Sequence, residues 1–89
     1  MSQPLFVRAL RAQETRELQR LLHRETDARI VRRAQIIRLS ARGRTPSEIA
    51  DILERSCSGV RKIINRFNAE GITSLADKLR DAMGSKGED

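Results

Sequence analysis

The chain has 89 residues, with 18 Lys and Arg against 12 Asp and Glu, a formal net charge of +6 and 2% aromatic side chains; this bounds it to one small basic domain with an aliphatic core. The only cysteine is Cys57 and the only histidine His23, which excludes an internal disulfide and a Cys/His zinc site. No apolar run approaches the roughly 18 residues that span a bilayer, and the N-terminal apolar stretch is too short for a signal peptide, so the expectation is a cytoplasmic protein with no membrane partner, metal or cofactor.

The charge is uneven. Residues 1–66 hold 15 basic and 7 acidic groups, whereas residues 67–89 hold 3 and 5. The first two thirds therefore suit a polyanionic partner. Fifteen of the basic residues are arginine, a planar fork of donors matched to phosphate and base edges; a GC-rich gene would produce the same excess.

Residues 1–11 read as an N-terminal arm, in which Leu5, Phe6 and Val7 lie outside any helical pattern. They either pack back onto the domain or expose an apolar patch for a partner chain. From Ala12 to Arg24 there is no Gly or Pro, and Leu18, Leu21 and Leu22 repeat at helical spacing, which predicts a first helix. A second is predicted from Asp27 to Arg42, with Ile30, Ala34, Ile37 and Ala41 as its apolar stripe and Gly43 as its stop. Its Arg29, Arg32, Arg33 and Arg38 either grip phosphates or form a solvated surface paired with acids.

Thr45-Pro46-Ser47-Glu48 spells a capping box with proline in the first turn. The short helix that follows carries Ile49, Ala50, Ile52 and Leu53 and ends near Glu54-Arg55. Ser56 is placed to cap a fourth helix that runs to about Ala69, with Gly71 as its stop. Val60, Ile63, Ile64 and Phe67 take one side of it, while Ser58, Arg61, Lys62, Asn65 and Arg66 take the others. Ser74 is then expected to cap a last short helix through Leu75, Leu79 and Met83. Residues 12–80 form the expected domain, and residues 81–89 lose all periodicity, as a disordered tail would.

Two helices joined by three or four residues, with small Ala50 where they cross, are the layout of a helix-turn-helix. In that motif the second helix enters the DNA major groove. Its candidate contacts are Ser56, Cys57, Ser58, Arg61, Lys62, Asn65 and Arg66, joined by Arg44 and Thr45 at the start of the preceding helix. Arg61 can donate two hydrogen bonds to guanine and Asn65 can pair with adenine, while the free amides at the helix start favour phosphate. Cys57 reads as a small residue near a cap rather than a redox sensor, and Asn68 and Glu70 read as structural.

The stretches Arg32-Arg33-Ala34-Gln35-Ile36-Ile37-Arg38-Leu39, Gly43-Arg44-Thr45-Pro46-Ser47-Glu48-Ile49-Ala50, Val60-Arg61-Lys62, Arg66-Phe67-Asn68-Ala69-Glu70-Gly71 and Leu75-Ala76-Asp77 resemble the N-terminal helix-turn-helix domain of bacterial insertion-sequence transposases of the mariner-like superfamily. The resemblance implies a homeodomain-like bundle that recognises transposon ends, with residues 57–69 in the major groove. The sequence departs from that pattern at Glu54, where the family has Gly, at Arg55, where it has an apolar residue, and at Ile63, where it has Trp. After residue 77 it also lacks the family's Gly-Arg-Pro segment, second DNA-binding module and carboxylate-bearing catalytic domain.

The expected fold is thus an all-α, homeodomain-like bundle of about five helices holding one helix-turn-helix. The expected function is non-enzymatic binding of double-stranded DNA, as a stand-alone transposase-derived protein or transcriptional regulator. Three alternatives stay open: a non-catalytic transposase fragment on transposon ends, an adaptor whose basic surface meets an acidic protein, and a homodimer formed through the arm or last helix. RNA is the poorer partner, because Phe6 and Phe67 offer no stacking platform.

Overall fold

The computed structural model describes residues 5–75. Four helices, α1 (Ala12–Arg24), α2 (Ala28–Ala41), α3 (Pro46–Leu53) and α4 (Cys57–Glu70), are followed by a 3-10 turn over Gly71–Leu75. Among the described residues the count is four rather than about five. Ser74 is buried inside the 3-10 turn, and its hydroxyl has no hydrogen-bond partner among the described residues; most of the helix it was expected to cap lies outside them. Leu79, Met83 and the expected tail lie outside the described residues.

Each helix boundary has a local cause. Glu14 accepts the Arg11 amide at 3.0 Å and so starts α1. Asp27 accepts the Arg29 amide at 2.9 Å and starts α2. The far end of α2 closes with two hydrogen bonds, from the Arg44 amide to the Leu39 carbonyl and from the Gly43 amide to the Ser40 carbonyl. This is a Schellman motif, with Gly43 at the positive φ the motif requires.

One core joins every element. Leu18 and Leu21 of α1, Ile30, Ala34, Ile36 and Ile37 of α2, and Ile49 and Ala50 of α3 are buried, together with Val60, Ile64 and Phe67 of α4 and Leu75. A large aliphatic or aromatic side chain buried in this way contributes roughly 1.5–3 kcal/mol. The stripe of α2 differs from the expected one: Ala41 is exposed, whereas Ile36 and Ser40 are inside. A buried serine needs a partner, and the Ser40 hydroxyl accepts the Val7 amide at 2.8 Å.

That bond shows where the arm goes. Val7 is buried, the Arg8 amide donates to Asn68 Oδ1 at 2.8 Å, and Asn68 Nδ2 donates to the Phe6 carbonyl at 3.2 Å. Asn68 is therefore structural, and the arm packs back onto α2 and α4, leaving Phe6 39% exposed. The Arg8 guanidinium lies 5.0 Å from the centre of the Phe67 ring, within cation–π range. It also donates to both carboxylate oxygens of buried Glu14, at 2.8 and 2.7 Å.

This bidentate bond, aided by the Arg11 amide and opposed by burial, holds the Glu14 carboxyl at about 2. A carboxyl whose pKa falls on folding stabilises the native state fully above its unfolded value near 4.5, and that contribution is lost as pH falls towards about 2. Glu14→Gln should lower stability by about 1–2 kcal/mol at neutral pH and flatten the loss between pH 4.5 and 2. Urea denaturation of both proteins across this range measures the difference.

Candidate nucleic-acid interface

The helix pair α3–α4 begins with the capping box read from the sequence. Thr45 Oγ1 accepts the Glu48 amide at 3.2 Å, and Glu48 Oε1 accepts the Thr45 amide at 2.9 Å. Pro46 occupies the first turn and is buried. Eight residues later α3 stops at Glu54, whose φ of 56° and ψ of 47° are left-handed. The Arg55 amide reaches the Ala50 carbonyl at 2.9 Å and the Glu54 amide the Asp51 carbonyl at 3.4 Å. This is the Schellman motif seen at Gly43, built here on a residue with a side chain.

Ser56 then opens α4, its hydroxyl accepting the Gly59 amide at 3.0 Å. The connection is three residues, Glu54 to Ser56, and it turns α4 back against α3 where small Ala50 is buried. Arg55 is exposed, so an apolar residue is not required in the turn. Ile63 is only half-buried rather than fully inward, which places it at the margin of the core.

Along α4, Val60, Ile64 and Phe67 are buried, while Ser58, Arg61, Lys62, Asn65 and Arg66 are all exposed. Their spacing of three and four places them on one face. Arg66 pairs loosely with Glu70, Nε to Oε1 at 3.5 Å. Among the described residues neither Arg61 nor Lys62 is in an ion pair. Exposed Ser56 and half-buried Cys57 sit at the N-terminal end of this face, where the unpaired amides of a helix start favour an anion.

Arg44 and Thr45 stand apart from that group. They lie at the opposite end of α3 from the turn, about 12 Å along its axis, and the Thr45 oxygen is already engaged in the cap. Arg44 is exposed. The structure adds one residue to the α4 face that spacing alone left undecided: Arg33 of α2 lines a depression of about 330 Å³ together with Lys62, Ile63, Arg66, Ser74 and Leu75. Its signal in the sequence, one arginine among several on α2, could not separate it from Arg29 or Arg32.

A short helix and a longer basic one, joined by a three-residue turn and braced by a third helix, define a helix-turn-helix protein. The homeodomain-like domain model matches residues 27–76, more than half of the chain, and the chain belongs to that family of helix-turn-helix DNA-binding domains. The match begins at the cap of α2 and takes in α2, α3, α4 and the 3-10 turn, while α1 and the arm lie outside it. No curated protein and no solved structure matches the chain. No helix among the described residues is long and apolar enough to cross a membrane.

A side chain in the left-handed region costs roughly 1–2 kcal/mol that glycine escapes. Glu54→Gly should therefore raise stability by up to about 1 kcal/mol, after the added freedom of the unfolded chain is deducted, with α4 unmoved. Thermal unfolding and amide chemical shifts of the variant test both parts.

Proposed function

We propose that the chain binds double-stranded DNA with sequence preference by laying α4 in the major groove, in a role of binding rather than catalysis. The observation that carries this reading is the exposed stripe of Ser58, Arg61, Lys62, Asn65 and Arg66 on the second helix of a helix-turn-helix. Arg61 presents the donor pair that guanine accepts, and Asn65 the donor and acceptor that adenine matches. Lys62, Arg66 and Arg33 meet phosphates on one flank. Ser56, Cys57 and Ser58 meet phosphate at the helix start, and Arg44 and Thr45 meet the backbone that the first helix of the motif crosses.

The likeness to the N-terminal domains of insertion-sequence transposases supports transposon ends, or sites descended from them, as the target. Selection from a random duplex pool with excess competitor identifies the site. An asymmetric site supports the transposon-end lineage, and a palindrome supports a dimeric regulator, because protein symmetry is mirrored in half-sites. The absence of any enriched sequence would refute base readout.

If about six phosphates are engaged, affinity should fall by about a thousandfold between 50 and 200 mM salt through counterion release. Arg61→Ala should relax preference at one base position by about 1–3 kcal/mol. Lys62→Ala should weaken all sequences alike and lower the salt slope by about 1. Fluorescence anisotropy over a salt series reads all three, and an affinity indifferent to salt would remove the proposal.

Ser56 separates structure from contact. Ser56→Ala loses the cap, at about 1 kcal/mol of stability. Ser56→Asp keeps the cap but brings a carboxylate to the phosphates, so it should fold as well as the parent and bind DNA more weakly. Circular dichroism and anisotropy on the same samples distinguish the two effects.

A further inference from the structure

We propose that a second surface, to which α4 contributes no residue, is a docking groove for an acidic amphipathic helix of a partner protein. The groove, about 460 Å³, is formed by the end of α1, the second half of α2 and the end of α3. Its floor is Leu22, Leu39, Ile52 and Leu53. Ile52 is 54% exposed, the most exposed large apolar side chain among the described residues. It is also the member of the α3 apolar set for which the core has no use, since Ile49 and Ala50 face inward.

The rim fixes the chemistry of the occupant. Arg38 and Arg42 line the groove beside His23 and Gln35, and no carboxylate does. Among the described residues neither arginine is in an ion pair. A second copy docked through the same groove would set arginine against arginine, which works against association. A helix with apolar residues at i, i+3, i+4 and i+7 and glutamates beside them fills the floor and neutralises the rim. Every floor residue comes from a helix, so the recognition is by side chains rather than by strand addition.

No residue of α4 lines the groove, and neither does any of the proposed DNA contacts. Docking here therefore uses none of the residues assigned to DNA, and the two surfaces are expected to be occupied together. In that arrangement the domain links its DNA site to an acidic partner.

The experiment is a titration of the full 89-residue chain, isotope-labelled for amide NMR. The probe is a peptide of about 16 residues with leucine at i, i+3, i+4 and i+7 flanked by glutamate, set against a scrambled peptide of the same composition. The expected result is saturable shifts centred on Leu22, Leu39, Ile52 and Leu53, absent with the scrambled peptide and retained when duplex DNA is bound. Ile52→Ser and the double change Arg38→Glu with Arg42→Glu should each weaken binding by about tenfold or more, and added salt should weaken it further. These positions are exposed, so circular dichroism should show the variants folded. The proposal fails if no saturable shift appears, if the scrambled peptide does as well, if the shifts follow protein concentration as in self-association, or if DNA displaces the peptide.

Discussion

The direction in which α4 points depends on the backbone at Glu54. Three residues separate α3 from α4, and only a left-handed residue at the first of them lets the chain reverse while the last carbonyls of α3 remain hydrogen-bonded. At the end of α2 the same geometry is carried by Gly43, which adopts it without strain. Using glutamate at the turn that aims the helix proposed to read DNA leaves a strained residue beside α4 and a relaxed one at the end of α2. The surrounding bonds, Arg55 to Ala50 and Ser56 to Gly59, hold that strain in place.

A second constraint acts from the other end of α4. Phe67 is fully buried beneath the Arg8 guanidinium, and Asn68 is tied to the arm by two hydrogen bonds. Gly71 completes this corner for two reasons. Its φ of +83° suits glycine, and a Cβ there would meet Arg8 Nη2 and Glu14 Oε2, both at 3.3 Å. The helix proposed to read DNA is thus fixed at its start by a turn and at its end by a salt-bridged arm, and its exposed middle is left to contact a ligand.

Much of this was legible in the residues themselves. Thr45, Pro46 and Glu48 specify a helix start through contacts within four residues, so no knowledge of the fold is needed to read them; Asp27, Gly43, Ser56 and Gly71 are equally local. The exposed face of α4 follows from periodicity alone. What was hidden depends on distant partners. Ser40 looks like a surface serine until Val7 arrives from 33 residues away, and Ala41 then takes the solvent side. Glu14 looks like one of many surface acids until Arg8 folds over it. Ser74 looks like a surface residue but is buried, because Leu75 is drawn into the core and the chain tightens into a 3-10 turn. Arg33 joins the α4 face only because α2 packs beside it.

The arm bears on the order in which the chain assembles. Its bonds to Ser40 and Asn68 span 33, 60 and 62 residues, whereas the caps and turns that define the helices close within five. Long closures gain nothing until their far partners are already held in place, so the arm attaches after α2 and α4 have packed. By the same reasoning it is the first part to detach when the native state fluctuates. A protease acting on the folded protein would meet the peptide bonds around Phe6 well before any bond in the helices, and a cut there would cost Asn68 its bond to the Phe6 carbonyl, while Arg8, still joined to α1 and held by Glu14, and the helix-turn-helix would stay.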